Sequence, residues 1–444
     1  MASLTYMQLL RGNRSFRRLW SGQVVSELGN WFNFIAALGL VRAVSAGAPE
    51  ATAVMLVARL APFALFAPLA GAIVDRWSRR AVMVASDLSR GLVALGFLLV
   101  GGPEDLWIAY TCTVVGTLLS AFFEAAKNAA MPNVTGDDGL LAGNALMFSS
   151  RFLLMAVGAS LGGWASAQFG YRVAFIINAL SFLVSAYSVW LIPGREMVQE
   201  EDAGSGERAG DRPRFWTDLR EGWRYIAQHR MVMAIIGINI LWATGGGALN
   251  LIYDRLGGVV FAGDGLQPDA AVAALYTAVG AGLFVGMLFA RRVGTHVELH
   301  GVTVKFIGWM LFAHGVVLAL TGLMPTLWLA CLMLFISRAI VGMEFAVQET
   351  LMMRLLPDRL RGRVLTTDRA AEIFVMSLST VVAGWSLHAI TPRTLTIISG
   401  LLSGLPGLVW LVLFTSGKLR LPAELRTAGA AAEESDEALL ATAG

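Results

Sequence analysis

Twelve apolar runs, each about 20 residues or longer, constrain this chain more than any other feature. They fall near 19–44, 51–74, 80–101, 105–128, 140–168 and 171–193, and, beyond a polar interval, near 230–256, 268–290, 300–323, 326–353, 363–390 and 393–416. A helix crossing a hydrocarbon layer about 30 Å thick needs such a run, and the backbone there must satisfy its own hydrogen bonds. Alternation with a period of two residues is absent, which excludes a membrane β-barrel. Only 15% of residues are charged, against about 25% in soluble domains. A set of soluble domains, a disordered chain and a disulfide scaffold are excluded on that ground.

The basic residues give the direction of threading. Roughly 24 of the 34 Lys and Arg residues lie in loops on the side of the two termini: from Arg11 to Arg18 at the start, at Arg76, Arg79 and Arg80, at Lys127, through 195–230, at Arg291 and Arg292, from 354 to 363, and at Lys418, Arg420 and Arg426. The opposite loops hold only Arg42, Arg172, Arg255 and Arg393. The excess of positive charge in short cytoplasmic loops then places both termini and the central loop in the cytoplasm of a multi-pass protein of the cell's inner or plasma membrane. The pI near 9 is explained by this placement, so no nucleic-acid partner is expected. The arginine-rich N-terminus lacks a short apolar core with a cleavage site and reads as a retained anchor.

The interval after Pro193 divides the chain. The expected organisation is an N-terminal six-helix bundle over 1–193, a cytoplasmic linker over 194–229, a C-terminal six-helix bundle over 230–416 and a disordered cytoplasmic tail over 417–444. Within the linker Phe215, Leu219, Trp223 and Ile226 recur at helical spacing among charges, which predicts an amphipathic helix on the lipid surface. The alternative is a plain extension of span seven. The halves also echo each other: Glu124 stands eight residues before Pro132, and Glu349 eight before Pro357. Duplicated halves of this kind point to a transporter with its site near the bilayer midplane.

Between spans two and three stands Gly71-Ala-Ile-Val-Asp75-Arg76-Trp-Ser-Arg79-Arg80. This resembles the signature loop of the major facilitator superfamily, a glycine, three residues, Asp-Arg, two residues and a basic pair, at the required position. Gly22-Gln23 with Glu27 to Trp31, Pro132-Asn133 with Gly143 to Leu146, Arg220 to Tyr225, and Arg361-Gly362-Arg363-Val364 resemble the branch that includes enterobactin exporters and macrolide efflux proteins. The resemblance implies an all-α membrane protein of twelve transmembrane helices in two pseudo-symmetric six-helix bundles. It also implies a cytoplasmic gate in which Asp75, with Gly71, Arg76, Arg79 and Arg80, meets the start of span eleven at Gly362 and Arg363 while that side is shut. Span five carries Gly158-Ala-Ser-Leu-Gly162-Gly163, similar to the antiporter motif of exporting members except that Ala159 stands where proline is usual. Ordinary small-residue packing explains the same glycines. The loop between spans eight and nine, Arg291 to Glu298, lacks an aspartate, so the gate is expected to be asymmetric.

Ionisable residues inside a membrane are costly and face a cavity or a partner. Glu27 in span one, Glu344 in span ten and Glu372 in span eleven are candidate proton carriers, with Asn30 beside Glu27 and with Arg151 and Arg338 as candidate partners. The pairs Asp87–Arg90, Glu124–Lys127 and Arg369–Glu372 are each three apart and can meet on one helix face. Glu372 is thereby tied, and Glu27, with nothing basic within a turn, is the first choice. Asn33, Asn239 and Asn250 are lesser candidates for specificity.

The reading is a monomeric, proton-coupled exporter of amphipathic small molecules of drug or siderophore type, with no cofactor and no metal. A lipid or lysolipid translocator is the alternative. A polytopic enzyme or receptor is the reading from another class: the five histidines are dispersed, His296 and His300 lack a third ligand, no nucleophile with its base is seen, and the outer loops are too short for a receptor domain. Cys112 and Cys331 lie in apolar runs and read as small buried residues.

Overall fold

The structure of the protein, a computed structural model, describes residues 5–74, 76–197, 215–262 and 266–419. These are helical almost throughout, and no strand occurs among them. A short helix α1 (Tyr6–Gly12) precedes α2 (Arg14–Val44), α3 (Pro49–Val74), α4 (Arg79–Gly96), α5 (Leu106–Thr135), α6 (Asp137–Phe169) and α7 (Tyr171–Trp190). Then come α8 (Phe215–Gln228), α9 (Arg230–Gly246), α10 (Leu249–Arg255), α11 (Pro268–Leu299), α12 (Thr303–Thr321), α13 (Leu327–Leu355), α14 (Asp358–Ser386) and α15 (Pro392–Thr415). Eleven segments are long and apolar enough to cross a membrane. Helix α14, with 29 residues, has the length for a twelfth but carries seven charges in its first half. The protein is an all-helical, multi-pass membrane protein.

Two details differ from expectation, and a third follows the helical spacing read in the linker. Span seven is not one helix: α9 ends in Gly245-Gly246, α10 follows, and a π-helical turn, Leu256–Val260, completes it. Three successive glycines weaken a helix by roughly 0.5–1 kcal/mol each relative to alanine, and a Cβ on Gly247 would collide with the Met376 backbone, so the glycines serve close packing where the helix is interrupted. The segment Arg291 to Glu298 is not a loop but the last turns of α11. The chain between 215 and 228 is a helix of its own, separated from α9 by an extended His229. Its Tyr225 hydroxyl donates to the Leu355 carbonyl at 2.9 Å, and burial raises that phenol above its usual range. Asp75, the linker 198–214 and the tail from 420 onward lie outside the described residues.

Contacts divide the chain into two compact units. The first comprises Met1–Pro213, Asn250–Gly280 and Thr380–Pro392. In it α2 packs on α6 and α7, and α3 and α4 on α5. Phe16, Met83 and Phe123 fill one apolar cluster, while Phe32, Phe97 and Phe175 fill another, the last two stacked at 4.9 Å. The second comprises Arg214–Leu249, Ala281–Ser379 and Arg393–Gly444, around Ile235, Ile307 and the fully buried Trp410, whose indole donates to Val304. Trp77, Trp107, Trp164 and Trp385 are exposed, as expected of side chains that meet lipid and its interface.

The glycines of α6 bring helices together inside the first unit. A Cβ on Gly158 would lie 2.7 Å from Trp31 Cβ, one on Gly162 would lie 2.9 Å from Phe32 Cα, and one on Gly163 would overlap Ala273. Helix α6 therefore touches α2 and α11 at backbone distance. Gly162→Val is expected to cost on the order of 1–3 kcal/mol through overpacking. Thermal melting of the purified protein checks this, with the exposed neighbour substitution Leu161→Val expected to leave the midpoint nearly unchanged.

Candidate functional site

The strongest concentration of buried charge is at one end of the first unit. Arg42, in the last turn of α2, binds Asp254 through Nη1 and Asp269 through Nη2. Arg255 lies 3.2 Å from the second oxygen of Asp254. It also donates to Thr52 Oγ1 and to the Gly47 carbonyl, each at 2.6 Å. None of the four is more than 9% exposed. Removing two arginines and two aspartates from water is costly, and only mutual pairing with further hydrogen bonds offsets it. Space is made by glycine: a Cβ on Gly258 would stand 2.7 Å from the Arg42 guanidinium carbon, and one on Gly39 2.7 Å from Tyr171. Arg42 and Arg255 are thus not the loop charges that the sequence pattern predicts. They join the end of α2 to α10 and to the start of α11, across more than 200 residues of chain.

Near the middle of the same unit, Glu27 meets Arg151 at 4.0 Å and accepts from Asn30 Nδ2 at 3.4 Å. The sequence-predicted trio is therefore brought together, Glu27 being engaged and not free. Arg59, halfway along α3, joins it: its guanidinium carbon lies 4.4 Å from the Phe34 ring centroid. Phe34, Trp31, Tyr276 and Tyr253 form a continuous aromatic cluster with centroid separations of 5.3–6.0 Å. The Tyr276 hydroxyl donates to Asn250 Oδ1 at 3.1 Å.

The second unit holds a hydrogen-bonded chain. Gln348 Nε2 donates to Asn239 Oδ1 at 2.6 Å, and Asn239 Nδ2 donates to Asp368 Oδ2 at 2.9 Å. The other Asp368 oxygen is buried without a recorded partner among the described residues. Glu344 and Arg338 are buried at 4% and 5% exposure, and no ion pair joins them among the described residues. Arg338 instead neighbours His314, which is bonded to Ser337 Oγ at 2.7 Å. Glu372 pairs with Arg369 at 2.7 Å, and Lys127 with Glu124 at the same distance. Arg90 binds Asp87 and stacks on Phe123 and Phe182. All three local pairs form as their spacing predicts.

Of the loop residues, Arg79 donates at 3.0 Å to the carbonyls of Ala129 and Met197, tying α4 to α5 and to the turn after α7. Arg80 lies over Trp190, and Arg76 is exposed. A Cβ at Gly71 or at Gly362 would meet nothing within 4 Å. Arg363 lies on the first turns of α14, with Gly222 of α8 against it.

Residues 19–304 match the Major Facilitator Superfamily, more than half of the chain. The chain belongs to that superfamily. Over 234 residues it is 24% identical to an uncharacterised MFS-type transporter of Bacillus subtilis, covering 52% of this chain and 53% of that protein. The chain thus spans about half the length of that relative. It is 20% identical over 312 residues to macrolide efflux protein A of Streptococcus pyogenes, covering 70% and 73%. A bacterial homologue of the iron transporter ferroportin, solved in an inward-facing state, superposes with a TM-score of 0.63 at 16% identity, covering 89% of this chain and 98% of that one.

Within this superfamily member, sequence reasoning overlooked Asp254, Asp269 and Asp368, and placed Arg59 within a span without giving it a role. Each carried a signal: a lone charge inside an apolar run, or an acid at a span end opposite a lone outer-loop arginine. Arg42→Met would leave two carboxylates facing each other out of water. It is expected to lower stability by about 3–5 kcal/mol, read as a fall in melting midpoint of the purified protein. An unchanged midpoint contradicts the pairing.

Proposed function

We propose that the protein is a secondary active transporter that exports amphipathic small molecules of drug or siderophore type by alternating access, coupled to inward proton flow. The observation that carries this reading is the buried Arg42–Asp254–Asp269–Arg255 cluster. It joins segments from both halves of the sequence, and in this reading the contact forms while that end is shut and parts when it opens. Because the pairs would be stable together and costly apart, they bias an equilibrium between states without touching cargo. Similarity to a macrolide efflux protein supports export.

In this reading the termini are cytoplasmic, as the distribution of Lys and Arg supports, and the charge cluster closes the outer side. The bundles run over 1–193 and 230–416. The inner side is closed by Asp75 against the N-terminus of α14 near Gly362 and Arg363, where the helix dipole contributes roughly 0.3–1 kcal/mol. Arg79, fixed to α5, holds that loop in place. Glu27 carries the proton: released from Arg151 it binds one, and paired again it gives it up. The protein works as a monomer and needs no cofactor.

Reconstitution in liposomes tests this. A pH gradient is expected to drive accumulation of macrolides or siderophores, and movement indifferent to the gradient contradicts the coupling. Asp75→Asn should slow transport with insertion and affinity kept. Glu27→Gln should remove the pH dependence, and a Glu27→Gln protein with full transport and the wild-type pH profile contradicts the carrier assignment.

A further inference from the structure

Among the described residues of the first unit, Arg59 is the mid-span cation that the local pairing leaves over. Glu27 is engaged by Arg151 and Asn30. Electrostatically Arg59 feels Glu27, Arg151 and Tyr276, so two guanidinium groups stand against one carboxylate. Among the described residues no carboxylate or other hydrogen-bond acceptor is recorded for the Arg59 side chain, whose recorded contact is the Phe34 ring. The side chain is nevertheless exposed. A guanidinium exposed to hydrocarbon at the middle of a span is costly, so this one faces water. Behind it lie the buried rings of Phe34, Tyr253 and Tyr276, and against Phe34 the half-buried Trp31, in a wall of which only Trp31 is partly open. Trp31 in that wall has a buried indole N–H without a recorded acceptor.

We propose that Arg59 is the binding point for an acidic group of the cargo, a carboxylate or a phosphate, with the half-buried Trp31 as the nearest aromatic surface for the cargo's flat or apolar part. This rests on the transport reading and narrows its substrate class to amphipathic anions or zwitterions. The guanidinium offers five N–H donors in a planar fork that suits either oxyanion, and stacking on Phe34 fixes the plane of that fork. The net positive balance repels organic cations, which favours anionic cargo by exclusion as well as by attraction.

Calorimetric titration of the full-length protein in nanodiscs, with empty discs subtracted, tests the assignment with three probes: 2-naphthylacetate, lauroyl lysophosphatidylglycerol and tetraphenylphosphonium. The wild-type protein is expected to bind at least one anion about tenfold or more tighter than the cation. Binding of naphthylacetate alone identifies a carboxylate site, binding of the lysolipid alone a lipid-phosphate site, and binding of both a general oxyanion site. Arg59→Gln is expected to weaken the anion about 10- to 100-fold, while Arg59→Lys, which keeps the charge, stays within about tenfold of wild type. A folded Arg59→Gln protein with unchanged anion affinity overturns the proposal. So does a wild-type protein that binds neither anion or prefers tetraphenylphosphonium, a result that decides even if Arg59→Gln fails to fold. Gradient-driven movement of tetraphenylphosphonium in liposomes, with no anion bound, overturns the acidic cargo and leaves the transporter reading standing. No gradient-driven movement of any probe overturns the transporter reading itself.

Discussion

Four buried charges in the first unit hold one another in place, and the structure around them depends on that pairing. Arg42 is shared between Asp254 and Asp269, and Arg255 holds the free oxygen of Asp254. An isolated ion at such depth costs several kcal/mol, so the set is stable as a unit and unstable in parts. Much of the local structure follows. Gly39 and Gly258 are small because the guanidinium and carboxylates need their space. Helix α10 and its π turn stand apart from α9, carrying Asp254 and Arg255 into the first unit. Gly163 lets α6 approach the α11 turn that begins with Asp269.

The two units use polarity differently. In the first, mid-span charges are paired or stacked: Glu27 with Arg151, Asp87 with Arg90, Arg59 on Phe34. In the second, the central feature is a chain of neutral amides ending on one carboxylate, Gln348 to Asn239 to Asp368.

How far the sequence carried the account depended on the range of each interaction. Span positions were legible because every turn of a membrane helix repeats the same constraint, apolar outside and backbone satisfied within. The pairs Asp87–Arg90, Glu124–Lys127 and Arg369–Glu372 were legible because three residues is a helix-face spacing. The break in span seven was visible as Gly245-Gly246-Gly247 but looked like ordinary membrane glycine. Arg42 was read as an outer-loop charge and Asp254 and Asp269 were overlooked, because Arg42 and its two partners lie more than 200 residues apart and no local periodicity connects them. Arg59 was noticed as an in-span charge, yet its meaning depended on Glu27 being already engaged. Asp368 was hidden beside Arg369, in a helix whose first half is unusually charged for a span.

The central claim is that the Arg42–Asp254–Asp269 cluster shuts one end of the protein and parts during transport. Ala271, fully buried two residues beyond Asp269, is a direct reporter. With Cys112 and Cys331 replaced by Ser, Ala271→Cys is read with a membrane-impermeant maleimide applied from outside the cell. The account predicts slow labelling in the otherwise intact protein and fast labelling once Asp254→Asn weakens the cluster. Equal labelling rates in the two backgrounds would contradict it.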